Sequence, residues 1–448
     1  MSHPDDKSKQ EFESYFETLD IADTAATTGF GGKTIVPANV VEFRGTAEDQ
    51  SELQIQDAVS AGNRGTRELP RLQTSDSSHT ELRIVGQIGE GGMGIIQLAR
   101  QQSLNREVAL KTLKRQDDGA ARGLLQEAFI TGHLEHPNII PVYNLGRDDN
   151  GAPILVMKRI DGVSWLSVLM GTARPPSGEI ANTAWHVRIL MSLCDALRFA
   201  HSKGFVHRDI KPENVMIGGF GEVYLLDWGI ALRVDGETSE SYPNRESVRG
   251  IAGTPAYMAP EMTRDDGMEI DARTDVYLLG ACLHEVLTGD VRHQGGNLMD
   301  IMFSAFNSEP IEYGSEVPVE LASVSNRAMA LDKALRFQSV DEFKQALQDY
   351  LDHRSSVDLA RESAFALSQL EGLLAQDSPS EAQEQRIHDL FVECRFGFKQ
   401  ALKLWPGNQA AKDGLQTCLV ELVGHHLDRG ELTAARSVLG EVDGDFPE

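Results

Sequence analysis

The chain has 448 residues, of which 41% are hydrophobic, and a formal net charge of −26; that is too long for one ordinary core and apolar enough to build two or three units. A pI near 4.9 excludes a general nucleic-acid binder, which needs basic surface to displace counterions from phosphates. Cys194, Cys282, Cys394 and Cys418 are widely spaced with no C-x-x-C pair, which speaks against a disulfide framework or a metal site and reads as buried thiols in a reducing compartment.

Met1 to Gln10 is polar and acidic and lacks the apolar core of a secretory signal. No window reaches the roughly 18 apolar residues of a membrane helix, so the reading is a cytoplasmic chain without a membrane segment. Residues 1–80 are rich in Asp, Glu, Ser, Thr, Gly and Gln, a composition that buries too little surface to offset chain entropy and predicts an acidic, mostly disordered segment. Gly29-Phe30-Gly31-Gly32-Lys33-Thr34 ends like a phosphate-binding P-loop. Thr27 stands where that motif needs its first glycine and no strand precedes it, so the stretch reads as a Gly-rich tail.

Order is expected from Glu81. Leu82 to Ile88 reads as a strand, Gly89-Glu90-Gly91-Gly92-Met93-Gly94 as a turn, Ile95 to Ala99 as a second strand, and Glu107 to Lys111 as a third that ends in a lysine. G-x-G-x-x-G alone also marks dinucleotide-binding folds, but there a helix starts at the glycines, whereas here the strand pattern continues. Glycines between two strands let backbone N–H groups close over phosphates. Gly119 to Leu134 has helical periodicity and carries Glu127; Ile139 to Tyr143 and Ile154 to Met157 read as two more strands around Asp148-Asp149-Asn150-Gly151. A lysine on a strand and a glutamate on the next helix can pair to hold the lysine against phosphates, although a solvated helix-face charge is the commoner fate of a Glu.

From Asn182 the pattern turns helical and leads to His207-Arg208-Asp209-Ile210-Lys211-Pro212-Glu213-Asn214, flanked by apolar strand-like sequence. A packed core has no use for that mixture of charges, so the polar groups are expected to face a ligand. Eighteen positions after Asp209 a short strand delivers Asp227-Trp228-Gly229. Asp227 and Asn214 offer oxygen ligands suited to Mg²⁺.

In order and spacing, residues 82 to about 350 resemble a eukaryotic-type (Hanks-type) Ser/Thr protein kinase, with bacterial signalling members the nearest likeness. The likeness rests on Gly89 to Gly94, Lys111, Glu127, His207-Arg208-Asp209, Asn214, Asp227-Trp228-Gly229, Ala259-Pro260-Glu261, Asp275 and Arg336. It implies an α+β, bilobal fold: a small β-rich N-lobe with one key helix over about 81–158 and a larger helical C-lobe over about 159–354. It also implies ATP with Mg²⁺ (Mn²⁺ as a substitute) as cofactors and Ser/Thr hydroxyls of proteins as acceptors. By resemblance, Asp209 receives the acceptor proton, Lys211 balances the γ-phosphate, Lys111 fixed by Glu127 holds the α- and β-phosphates, and Asn214 with Asp227 holds the metal. Ile88, Gly89, Glu90, Gly91, Gly92, Met93 and Gly94 would cover the nucleotide. Ile96, Ala109, Met157 and Met216 would sandwich adenine, while plain core packing is the alternative for these four.

Trp228 stands where the family usually has Phe; altered packing without loss of chemistry is expected, with a partner for the indole N–H. The hydroxyl-rich segment after Asp227 suggests autophosphorylation within 238–247, at Ser241 or Ser247, received by Arg208. Thr254 is expected to contact Asp209 or Lys211. His207 reads as a packing element, and His201, His284 and His293 have no motif behind them. Residues 355–448 read as an all-α extension whose Phe398 to Asn408 resembles the end of a tetratricopeptide repeat, either as a simple extension or as a module for a docking partner or self-association. An active kinase and a non-catalytic pseudokinase scaffold are the two functional readings. The presence of Lys111, Asp209 and Asp227 favours the first.

Overall fold

The computed structural model describes residues 69–75, 80–90, 94–114, 118–237, 242–248, 250–264, 267–375 and 380–440. The expected disordered segment up to residue 68 and the Gly-rich stretch from Gly29 lie outside them, as do Gly91, Gly92, Met93, Thr238, Ser239 and Ser241. The chain divides into two compact units, residues 1–347 and 348–448.

The first unit begins with a six-stranded sheet. Its strands are β1 (Thr74–Ser75), β2 (Leu82–Glu90), β3 (Gly94–Gln101), β4 (Arg106–Leu113), β5 (Val142–Arg147) and β6 (Pro153–Lys158), in the order β1-β2-β3-β4-β6-β5. Every pairing is antiparallel except β1 with β2; β4 meets β6 after the chain has passed through a helix and β5. Helix α1 (Asp118–His133) packs Leu124 and Ala128 into a cluster with Ala109, Leu155 and Met157. The opposite sheet face buries Leu82, Ala99, Val108, Leu110, Ile154 and Val156, as strand alternation demands. The run Ile139 to Tyr143, read as a strand from its β-branched residues, becomes one only at Val142. Pro141 has no N–H to give a ladder, so Ile139 and Ile140 bury instead against the chain at Leu225.

The rest of this unit is mainly helical. After β7 (Gly162–Ser164) and α2 (Trp165–Leu169), α3 (Thr183–Ser202) starts at Asn182, whose side chain accepts the Trp185 N–H. Its buried stripe of Trp185, Ile189, Leu190, Leu193 and Leu197 follows the 3.6-residue period. Short strands β8 (Phe205–Val206), β9 (Val215–Gly218), β10 (Val223–Leu225) and β11 (Leu232–Arg233) pair as β10-β9-β7 and β11-β8. Helix α4 (Ala272–Thr288) opens with a capping box between Asp271 and Thr274 and ends at Gly289, whose φ of 80° is the left-handed cap that glycine supplies without strain. Helices α5 (Leu298–Asn307) and α6 (Val319–Ala328) follow. The sheet-rich first part and helical remainder are the bilobal α+β arrangement expected.

Helix α7 (Val340–Leu374) runs without a break through residue 355, where the all-α extension is expected to begin. It leads into the second unit, where α8 (Glu381–Leu404), α9 (Gln409–Asp428) and α10 (Leu432–Leu439) continue the all-α extension. Its core joins Leu370, Ile387, Leu390, Phe391, Phe398 and the thiols of Cys394 and Cys418. Asn408 caps α9 through the Ala411 N–H and donates to the buried Ser356 hydroxyl. All four cysteines are free and buried. Among the described residues no helix is long and apolar enough to cross a membrane.

One buried ion pair ties the helical part of the first unit together. Arg336 meets both oxygens of Glu261 at 2.8 and 3.0 Å, and both side chains are shut from solvent. Removing one member would leave an uncompensated buried charge. Arg336→Met is expected to destabilise the chain by about 3–5 kcal/mol, read from urea denaturation, whereas loss of a surface pair such as Arg264 with Glu269 is expected to cost under about 1 kcal/mol.

Candidate active site

Strand β4 and helix α1 bring Lys111 and Glu127 together, because a strand side chain aimed under the sheet meets the helix packed on that face. Lys111 Nζ lies 2.6 Å from both Glu127 oxygens and 3.7 Å from Asp227 Oδ1. Burial alone would push the ammonium toward its neutral form, but the carboxylates of Asp227 and Glu127 reverse this and hold its pKa above the ordinary 10.5. Attraction to Lys111 in turn pulls the Asp227 carboxyl below its usual value, outweighing burial. Asp227 has a φ of 60°, a left-handed conformation uncommon for an aspartate.

Gly94 opens β3, where an added Cβ would lie 2.5 Å from the carbonyl oxygen of Thr112, so only glycine fits that close crossing. Ile88, Gly89 and Glu90 end β2, with Ile88 half-exposed and Glu90 paired with Lys114. Ile96, Ala109 and Met157 share one apolar cluster; Met216 belongs to β9 in the separate three-stranded sheet.

The segment from His207 to Asn214 is buried almost throughout. Asp209 Oδ1 accepts from the Thr254 hydroxyl at 2.6 Å, and Oδ2 accepts from Asn214 Nδ2 at 2.9 Å with Lys211 Nζ at 3.5 Å. Lys211 Nζ also donates to Thr254 Oγ1 at 3.0 Å. Thr254 therefore contacts both residues proposed for it from sequence. Because the Asn214 amide nitrogen is committed to Asp209, through its carboxylate and its carbonyl, its Oδ1 is the atom left to face a cation.

His207 is fully buried. Its Nδ1 accepts the Asp209 N–H, so Nε2 carries the proton and donates to the Leu226 carbonyl at 3.1 Å. Its ring meets Trp228 edge-on with centroids 4.5 Å apart, which is a packing role. The partner expected for the Trp228 indole N–H is not found among the described residues, where Nε1 is buried with no hydrogen-bond acceptor. A Phe here would need no acceptor, whereas the indole leaves a desolvated donor that costs about 1–3 kcal/mol.

Arg208 has a φ of 72° and lies 4% exposed, with Nη1 donating to the Ile230 carbonyl and Nε unpartnered. Burial lowers its pKa to about 10, against the pull of Asp275 and Asp209. The guanidinium borders a cavity of about 20 Å³ that Gln126 and Ser247 also line. Ser247 closes a capping box with Asn244.

Sequence reasoning missed three contributors. His201, which no motif marked, ends α3 with Nε2 2.8 Å from Asp275 Oδ2. Gln126 beside Glu127 has a buried amide nitrogen with no partner among the described residues. The Tyr257 hydroxyl donates to Glu285 at 2.8 Å. Only His201 carried a signal, being six residues before His207 at the end of an apolar-faced helix.

The sequence profile of the protein kinase domain matches residues 82–354. The chain is 33% identical over 298 residues to a protein of Protochlamydia amoebophila named serine/threonine-protein kinase PknD, covering 61% of this chain and 30% of that one. It is 35% identical over 290 residues to a protein of the same name from Chlamydia trachomatis, covering 59% and 31%. For the one from Chlamydia felis the identity is 31% over 290 residues, covering 60% and 31%. The chain thus spans under a third of the length of these relatives.

The Lys111 cluster has a pH signature. Burial raises the Glu127 carboxyl above 4.5, with Lys111 opposing and Asp227 reinforcing the rise. A carboxyl raised on folding contributes stability that is fully present below its unfolded value and lost as pH climbs through the folded value. Lys111→Met removes the opposing cation and lifts Glu127 further, so the variant's deficit against wild type is expected to widen as pH rises above 4.5. Urea melts at about pH 5 and pH 8 check this; equal deficits would contradict it.

Proposed function

Because the chain belongs to the protein kinase family, we propose that it is a protein serine/threonine kinase that transfers the ATP γ-phosphate to protein hydroxyls with Mg²⁺. Members of the family use ATP and a divalent metal and act on proteins. The observation that carries the reading is that Lys111, Glu127 and Asp227 form one charged cluster while Asp209, Lys211 and Asn214 form a second. A scaffold without catalysis would have no reason to keep both.

Phosphoryl transfer asks chiefly for positioning and charge neutralisation. Lys111, braced by Glu127, would hold the α- and β-phosphates under the strands joined at Gly89 to Gly94. Ile96, Ala109, Met157 and Met216 would enclose the adenine. Asn214 Oδ1 and the ionised Asp227 are hard oxygen donors that suit Mg²⁺, which when bound would supply neutralisation of the phosphate oxygens. Asp209 already accepts a hydroxyl hydrogen bond from Thr254; an acceptor Ser or Thr hydroxyl would bind the same carboxylate and yield its proton there. Lys211 would balance charge on the transferred group.

Regulation by phosphate on Ser247 or Ser241 is supported by Arg208, which lines the same cavity as Ser247 and whose Nε is buried with no partner among the described residues. Ser241 lies outside the described residues. In this reading 81–354 is the catalytic domain of a cytoplasmic chain. The helices of 355–448 serve docking or self-association, supported by the exposed Phe365, Val392 and Phe396.

Incubation with labelled ATP and Mg²⁺ tests the reading. Asp209→Asn is expected to lower label transfer by about 10²–10⁴-fold and Lys111→Met to lower it comparably; equal labelling of wild type and both variants would sink the proposal. Mass mapping of the labelled wild type is expected to find phosphate on Ser247 or Ser241, and its absence from both would remove the regulatory part.

A further inference from the structure

A second cavity lies in the helical part of the first unit, away from both charged clusters. It measures about 860 Å³ and lies among Pro260-Glu261, Arg292, the end of α5 at Phe306 to Pro310, and Asn326 with Met329 to Leu335. That volume is within the range of small-molecule sites.

Most polar groups on its wall are already committed. Glu261 is held by Arg336, Arg264 pairs with Glu269 at 2.7 Å, and Lys333 pairs with Asp271 at 3.2 Å. The Asn326 side chain spends its oxygen on the Ile311 N–H and its nitrogen on the Ile311 carbonyl. Ser308 is bonded to Tyr277 and to the Met329 carbonyl. A peptide would therefore find few groups for its backbone amides, whereas Phe306, Pro310, Met329, Leu331 and Leu335 offer apolar surface.

Among the cations Arg292 is the exception. It is 8% exposed, its Nη2 donates to the Glu309 carbonyl, and its Nε is buried without an acceptor. It forms no ion pair among the described residues, unlike the other three cations named above. A buried guanidinium lacking an anion is costly, and a carboxylate is the group that matches its fork.

We propose that this cavity binds a small amphipathic carboxylate, an apolar body bearing one carboxylate that pairs with Arg292. Because Pro260 and Glu261 form part of the wall, such a ligand would bear on the segment that follows Thr254. The site stands independently of the kinase reading.

Isothermal titration of the full chain with decanoate, against decanol and against Arg292→Gln, tests it. The expected result is saturable binding of decanoate, affinity lower by about tenfold or more in Arg292→Gln, and a similar loss for decanol with wild type. Arg292→Lys, which keeps the cation, is expected to recover part of the affinity, and circular dichroism checks that each variant is folded. Absence of saturable decanoate binding, or decanol binding as tightly as decanoate, would overturn the proposal even if Arg292→Gln failed to fold.

Discussion

The carboxylate of Asp275 is the fixed point on which the Asp209 cluster depends. It is fully buried on α4 and accepts the backbone N–H groups of His207 at 2.9 Å and Arg208 at 3.0 Å, with the His201 ring at 2.8 Å. A buried carboxylate is tolerated only when such donors surround it. The consequence runs outward. With two successive N–H groups tied to one side chain, Arg208 is held at its left-handed φ and the next residue, Asp209, is turned toward Thr254, Asn214 and Lys211. Strained conformations of this kind persist only where surrounding bonds over-determine them.

Asp227 repeats the pattern from the other side, with its own left-handed backbone and its carboxylate facing Lys111. The two aspartates are thus positioned by different devices. Asp209 is set by a helix in the core beneath it. Asp227 is drawn by a lysine on the sheet, and that lysine is set by Glu127 on α1. A shift of α1 would disturb Lys111 and Asp227 while leaving the bonds of Asp209 intact, so the two clusters can be perturbed separately. Gln126 lines the cavity next to Arg208 and neighbours Glu127, which places that cavity at the junction of the two clusters.

Much of this was legible because charged residues in apolar surroundings have few explanations. The run from His207 to Asn214 and the triplet at Asp227 stand out in the sequence as polar groups that the fold then gathers, and strand periodicity put Lys111 on the third strand, which continues to Leu113. The pairing of Arg336 with Glu261 spans 75 residues, so no local periodicity announces it. What sequence could not supply were contacts decided by packing. Trp228 predicts an N–H partner by its chemistry, yet the fold buries the ring where none of the described residues offers an acceptor. His201 ends an apolar-faced helix but nothing in the sequence names its partner, and Arg292 reads as an ordinary surface residue; only the tertiary structure sets the first against Asp275 and leaves the second without an ion pair among the described residues. Pro141 was visible and should have shortened the strand read at Ile139.

The measurement that tests the central claim most directly is the rate of phosphoryl transfer by Asp275→Asn at saturating ATP and Mg²⁺, alongside its nucleotide affinity. Asparagine keeps the shape but turns an N–H₂ toward one of the donors the carboxylate accepts. The account predicts a large fall in kcat with nucleotide affinity nearly unchanged, because Lys111 and Glu127 are positioned independently. A folded variant that retains the wild-type kcat would contradict it.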